Sequence, residues 1–306
     1  MNVIVIFGAT ASGKSKVSIE LAKLIDGEII SADSMQIYKG LNIGTAKVTL
    51  DEMEGVAHHM IDVVESTQKF SVSDYKEMAT MAIKDILSRK RQPIICGGTG
   101  LYLDALIKNI DFESQPMESE VRKQLILEHL QHGNSYMHEK LKQIDPISAQ
   151  NIHENNTKRV IRAIEATMLK GIPFSQQKEN AVENKSEFEF KLYGLEVSRG
   201  KLYERINLRV VKMFRDGLEN EVANLFENGL LSEITASQAI GYKEFVPYFE
   251  GGATLDEVKE KIKMETRRYA KRQNTWFKRY IEAKWIDCNV LSAKEAAEVI
   301  LASNLQ

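Results

Sequence analysis

Residues 3–15 read VIVIFGATASGKS: five apolar residues, a loop with two glycines, then a lysine and a serine. A short apolar run bounded by glycine describes a strand buried on both faces. The continuation KSKVSIELAKLI places Val17, Leu21, Leu24 and Ile25 at helical spacing, so the stretch predicts strand, loop and helix. Gly8, Gly13, Lys14 and Ser15 fit the spacing G-x-x-x-x-G-K-[ST] at that junction. The glycines let the backbone curl around an anion, the freed N–H groups and the helix N-terminus face it, and Lys14 adds a positive charge. Gly8, Ala9, Thr10, Ala11, Ser12, Gly13, Lys14 and Ser15 are therefore the expected diphosphate- or nucleotide-binding residues, ATP being one candidate ligand. Ser15 is the expected Mg²⁺ ligand, through its hydroxyl. The G-x-G-x-x-G spacing of a dinucleotide site is absent.

Working outward, GEIIS predicts a second strand, residues 71–90 a helix with a Ser-type start, and RQPIICGG a third strand ending in glycine. Strands alternating with helices imply an α/β fold, a P-loop NTPase-like parallel sheet flanked by helices. From about residue 113 to 186 polar helical segments dominate and no strand pattern appears, which predicts a mainly helical insertion. Residues 188–197, FEFKLYGLEV, return to strand; a long helical stretch broken near Gly217 follows, and AKWIDCN adds a last strand. The expected domains are a core in two parts, 1–112 and 187–306, with the insertion at 113–186 between them.

Bulk properties exclude several classes. A chain of 306 residues with 43% hydrophobic and 27% charged residues is ordinary for a globular protein. No apolar run approaches the roughly 20 residues of a membrane-spanning helix. The opening MNVIVIFG lacks the basic start and small-residue cleavage site of a signal peptide, so a cytoplasmic protein is expected. Cys96 and Cys288 are too few for a disulfide framework and are expected to be inert thiols. His58 and His59 would point to opposite sides of a strand, and no zinc site is expected. Net charge is −2, yet Lys259 to Arg279 hold nine basic and two acidic residues, a local balance of +7. With no coiled-coil pattern, a monomer is expected.

Other residues must decide the reaction. Asp33 follows the second strand, where ligands bind in open α/β sheets. It is either a proton acceptor beside the phosphates or a turn aspartate capping DSMQ. Thr99, in GGTG at the end of the Cys96 strand, either offers a hydroxyl to the phosphates or serves a tight turn. Arg205 and Arg209 are four apart on a helix and share a face. They either clamp a diphosphate or are surface charges. Tyr269, Trp276 and Tyr280 form a stripe expected to pack into the core, leaving the basic faces of their helix for phosphates.

In order along the chain, GATASGKS, SADSMQIYKGLNIGTAK, HHMIDV, GGTGLYLDAL, NNTKRVIRAIEA, YERINLRVVKMFRDGLENEV, SQAIGYKE and TRRYAKRQNTWFKR resemble the bacterial tRNA dimethylallyltransferases (tRNA isopentenyltransferases). The resemblance implies transfer of a dimethylallyl group from dimethylallyl diphosphate to N6 of the adenosine 3′ of the anticodon, with Mg²⁺. It implies Asp33 as the base, Thr99 as an aid at the leaving group, and the loop with Arg205 or Arg209 on the diphosphate. The implied tRNA contacts are Asp33, Ser34, Met35, Gln36 and Thr99, with Arg122, Lys158, Arg159 and Arg162 in the insertion. Gly241, Tyr242, Lys243, Arg268 and Arg272 are further expected contacts on the anticodon stem-loop. Met35 and Lys39 stand where many relatives carry Gln and Arg. An ATP-dependent small-molecule kinase is the rival reading, since the same loop, carboxylate and arginines serve phosphoryl transfer. A non-catalytic RNA-binding protein with a nucleotide switch would leave Asp33 and Thr99 without roles.

Overall fold

The structure is a computed structural model, and it describes residues 2–110, 119–179, 186–227 and 238–304. The chain divides into two compact units, Met1–Asn109 with Lys185–Gln306, and Ile110–Asn184. The boundary expected between residues 112 and 113 lies outside the described residues.

The first part of the sheet unit runs β1 (Asn2–Phe7), α1 (Lys14–Ile25), β2 (Gly27–Ala32), α2 (Leu50–Met53), β3 (His58–His59), α3 (Val72–Ser88), β4 (Gln92–Gly97) and α4 (Gly100–Ile107). The insertion supplies α5 (Glu120–Ile144), α6 (Pro146–Asn151), α7 (Thr157–Lys170) and α8 (Phe174–Glu179). The sheet unit resumes with β5 (Glu189–Glu196), α9 (Arg199–Arg215), α10 (Leu218–Glu227), a 3₁₀ turn at Lys243–Phe245, α11 (Val246–Phe249), α12 (Leu255–Phe277), β6 (Lys284–Asp287) and α13 (Ala293–Asn304).

All six strands are parallel, in the order β3-β2-β4-β1-β5-β6. Val3 to Phe7 are fully buried because both faces of β1 are covered. Each such Val, Ile or Phe contributes about 1.5–3 kcal/mol by leaving water. Ile4 and Ile6 pack with Val17 and Leu21 of α1 and Ala296 and Ile300 of α13 on one face. Val3, Val5 and Phe7 pack with α3, α4 and Phe277 of α12 on the other. A third cluster, with Ile37, Tyr38, Val210, Val222, Tyr242 and Ile262, sits under the segment that follows β2.

Local chemistry sets the ends of the helices. Ser71 and Asp74 form a reciprocal cap at the start of α3, as do Thr254 and Glu257 at α12. Gly217, at φ 99°, separates α9 from α10 where the sequence predicts a break. At the amino end of β2, Glu28 is 1% exposed and accepts from Arg89 Nη2 at 2.8 Å and Arg91 Nη1 at 2.9 Å. His59 Nε2 lies 2.6 Å from its other side, so the two adjacent histidines serve the sheet edge. The Arg89 guanidinium, with His59 and Arg91, holds the Glu28 carboxyl far below the usual range despite its burial.

In the helical unit, Gly133 (φ 80°, ψ −174°) interrupts α5, giving the two segments that the sequence predicts there. Leu125, Met137 and Leu141 of α5 pack against Val160, Ile161 and Ile164 of α7.

Candidate active site

The parallel sheet brings the loops after β1, β2 and β4 to the same end, because β4 lies between β1 and β2. The loop after β1 is shaped by Ala11 at φ 63° and Gly13 at φ 99°. A left-handed alanine costs about 1 kcal/mol or more, a strain that recurs at ligand-gripping loops. Lys14 Nζ donates to Ala9 O at 2.8 Å, so the ammonium folds back over its own loop. Burial pushes Lys14 down to about 8, although Asp33 and Cys96 pull the other way. Ser15 is exposed in the first turn of α1.

Asp33 Oδ1 accepts from Met35 N at 2.9 Å and Gln36 N at 3.3 Å, a cap of the turn that follows. The turn-cap reading of Asp33 is the one the geometry shows: Oδ1 fastens DSMQ, and the carboxylate also acts on Lys14 and Arg209 through space. Thr99 Oγ1 accepts from Ser34 N at 3.0 Å, and Thr99 N donates to Ala32 O at 3.0 Å. Thr99 thus holds the residue that follows Asp33. Burial and the Asp33 charge push the phenol of Tyr269 on α12 up to about 12.

Arg205 and Arg209 both face the phosphate loop. Arg209 Nη1 lies 3.5 Å from Thr10 Oγ1, and Arg205 Nη1 3.5 Å from Ser12 O. Arg209 is half-buried, and that burial lowers its affinity for the proton, while Arg205 is exposed.

Two close approaches join α12 to the loop after β4. A Cβ on Gly98 would sit 2.3 Å from Gln273 Nε2, and one on Gly100 2.3 Å from the Trp276 ring. Gln273, 5% exposed, accepts from Thr10 N at 2.8 Å and donates to Gly98 O at 2.8 Å. Sequence reasoning missed Gln273. The available signal was an uncharged amide in phase with the buried Ala270 and Phe277 of a basic helix.

The other expected site residues distribute unevenly. Gln36 Nε2 donates to Thr45 O at 3.2 Å, tying DSMQ to the next turn. Tyr242 is wholly buried and its hydroxyl donates to Glu221 Oε1 at 2.7 Å, so the expectation of a tRNA contact by this ring is corrected: it is core. Glu221 also accepts from the N–H groups of Asn42, Ile43 and Gly44, a cluster absent from the sequence reading. Gly241 is buried and Lys243 exposed. Arg268 is exposed and pairs with Glu265 at 2.7 Å, and exposed Arg272 lies 5.8 Å over the Tyr269 ring. Of the aromatic stripe, Tyr280 is buried, while Tyr269 and Trp276 are half-buried beneath Arg272 and Arg279. In the helical unit Lys158 and Arg159 are exposed, whereas Arg122 and Arg162 both pair with Glu165. Among the described residues no cluster of three or more His, Cys, Asp or Glu forms a metal site. None of their helices is long and apolar enough to cross a membrane.

Comparison with known proteins identifies the family. Residues 36–280 match the family model described as IPP transferase. The chain is 48% identical to the tRNA dimethylallyltransferase of Acetivibrio thermocellus over 294 residues, covering 96% of this chain and 94% of that one. The crystal structure of a tRNA delta(2)-isopentenylpyrophosphate transferase from Staphylococcus epidermidis is 43% identical, with a TM-score of 0.72, covering 99% of this chain and 98% of that one. A eukaryotic dimethylallyltransferase acting on tRNA superimposes with a TM-score of 0.84 at 30% identity, covering 99% of this chain and 78% of that one. With a family model spanning most of its length and relatives above two-fifths identity, this chain belongs to the IPP transferase family.

Proposed function

We propose that this chain is a tRNA dimethylallyltransferase, moving the dimethylallyl group of dimethylallyl diphosphate to N6 of the adenosine 3′ of the anticodon and releasing diphosphate. The observation that carries the reading is that Thr99 Oγ1 binds Ser34 N, the residue after Asp33, while the Asp33 carboxylate acts on Lys14 of the phosphate loop through space. In the step, the allylic C–O bond breaks and the C–N6 bond forms. Negative charge grows on the departing diphosphate and N6 loses a proton. The loop N–H groups, Lys14 and Arg209 stabilise the departing charge. Asp33 takes the proton from N6, whose lone pair is otherwise delocalised into the ring. Thr99 holds the Ser34 turn against the leaving group.

Mg²⁺ fits this site as a cofactor bound mainly through the ligand. The described residues offer the exposed hydroxyl of Ser15 and no cluster of three or more possible metal-ligating carboxylates, and Mg²⁺ commonly keeps waters and substrate phosphates as its ligands. When bound, the ion neutralises charge on the diphosphate.

The segment Asp33–Gln36 with Thr99 receives the adenine, which must leave its stack before N6 is reached. Lys158, Arg159, Lys243, Arg268 and Arg272, all exposed, contact phosphates of the anticodon stem-loop. Residues 113–186 serve as the tRNA-binding insertion. The enzyme works in the cytoplasm as a monomer. None of the relatives named above is a kinase, and no feature of the site favours that alternative.

Radiolabelled dimethylallyl diphosphate, an unmodified anticodon stem-loop and Mg²⁺ test the reading directly. Label in the RNA is expected. Unlabelled RNA together with ATP-dependent phosphorylation of a small acceptor would transfer the protein to the kinases.

A further inference from the structure

We infer that Gln273 is a positioning residue for the transfer step, its side-chain amide fixing the separation between the phosphate loop and the loop that carries Thr99. The inference rests on the proposed function. Gln273 lies on α12, far in sequence from both loops, and is 5% exposed. Its Oε1 accepts from Thr10 N and its Nε2 donates to Gly98 O, each at 2.8 Å. Thr10 precedes the left-handed Ala11, and Gly98 precedes Thr99.

The chemistry of the position is narrow. One neighbour is a backbone donor and the other a backbone acceptor, so the bridging group must accept on one side and donate on the other. A primary amide does both without charge; a carboxylate accepts only, and an aliphatic chain does neither. Because Oε1 satisfies Thr10 N, and Ser12 N donates to Ala9 O at 3.2 Å, the loop is held in shape before any diphosphate arrives. The absence of a side chain at Gly98 is what admits Nε2. A shift of about 1 Å between the groups on these loops is enough to cost on the order of a hundredfold in rate.

Titratable and charged groups lie on Gln273's own helix, on the two loops it joins and on the elements packed beside them. Tyr269 and Arg272 lie on its own helix, Lys14 on the phosphate loop, Arg209 on α9, Asp33 after β2 and Cys96 on β4. Each of these is present in the wild type and in every variant, so the ratio of variant to wild type removes their titrations.

The experiment compares kcat and stem-loop KM for wild type, Gln273→Met and Gln273→Glu from about pH 5.5 to 8.5, below the melting transition of each protein. Gln273→Met is expected to lower kcat by about ten- to hundredfold at every pH with KM nearly unchanged. Gln273→Glu should match that loss at high pH and recover toward wild type as pH falls. The neutral acid again carries an acceptor and a donor, and burial raises its pKa into this range. A Gln273→Glu ratio flat across pH, or wild-type kcat in Gln273→Met, overturns the inference. If Gln273→Met does not fold, the pH ratio of Gln273→Glu decides alone. A wild type that transfers no label at any pH defeats the proposed function instead.

Discussion

Arg122 Nη2 lies 2.6 Å from Glu165 Oε2, and Glu165 is wholly buried between α5 and α7. Ser119 Oγ donates to the other oxygen at 2.6 Å, and Arg162 Nη1 adds a contact at 3.0 Å. Burial raises the pKa of this carboxyl, yet Ser119, Arg162 and Arg122 together outweigh it and hold the group below its usual value. Two arginines expected to face RNA therefore hold the helical unit together. Arg122→Met should destabilise that unit by about 1–2 kcal/mol, less than a fully enclosed pair because Arg122 is partly solvated. Faster amide exchange in α5 and α7 is the readout, and unchanged exchange would deny Arg122 this structural role. Because the pKa of Glu165 is depressed, its stabilisation is present above the unfolded carboxylate value and is lost as pH falls through the folded one.

Asp33→Asn, whose side-chain oxygen can still accept from Met35 N and Gln36 N, should reduce transfer by about 10²- to 10⁴-fold, the usual contribution of a general base, while stem-loop affinity stays close to wild type. Single-turnover label transfer beside a filter-binding titration separates the two quantities. Comparable turnover in the variant removes Asp33 from the proton transfer.

Lys14 gives a pH dependence of definite sign. Its pKa is lowered by burial to about 8, so the ligand-free enzyme loses this positive charge as pH rises through about 8. Inhibition by inorganic diphosphate should weaken across that interval, and Lys14→Met should abolish the step. Stability moves the other way. Between about 8 and the unfolded lysine value the unfolded chain holds a proton that the folded one has released, so the ligand-free protein gains stability as pH rises. Melting curves of the wild type and Lys14→Met across this interval should diverge accordingly.

Arg209 and Arg205 should separate on substitution. Arg209→Gln is expected to raise KM for dimethylallyl diphosphate by about ten- to a hundredfold, since a half-buried guanidinium aimed at Thr10 forms charge-assisted bonds to the ligand. Arg205 is exposed and reaches only a backbone carbonyl, so Arg205→Gln should change KM by far less. Equal effects would assign both to the diphosphate.

The α/β architecture was legible because β1, α1, β4 and β5 each carry a local periodicity, and Gly13 and Gly217 mark their breaks directly. The phosphate loop was legible for the same reason: its residues are contiguous. Asp33 and Thr99 could be named, but the bond from Ser34 N to Thr99 could not, since it depends on β4 pairing beside β2. Gln273 carried only its phase with Ala270 and Phe277 on a basic helix, and Glu221 and Glu165 carried no local sign. Each is a polar side chain whose partners lie on other elements, and only the tertiary pairing distinguishes it from a surface residue. Tyr242 misled in the opposite direction, because a tyrosine beside a glycine and a lysine resembles an RNA contact until its burial is seen.

The first strand of this protein has its neighbours far downstream: β1 lies between β4 and β5, and its loop is held by a residue of α12. At a synthesis rate of about 5–20 residues per second, Gln273 leaves the ribosome roughly 15–50 s after Thr10. Throughout that interval a nascent chain owns the phosphate-binding residues without their clasp. Completion of the site is thus an event of late translation. A chain cut short before α12 would carry every residue of the GATASGKS loop and still lack the geometry to use it.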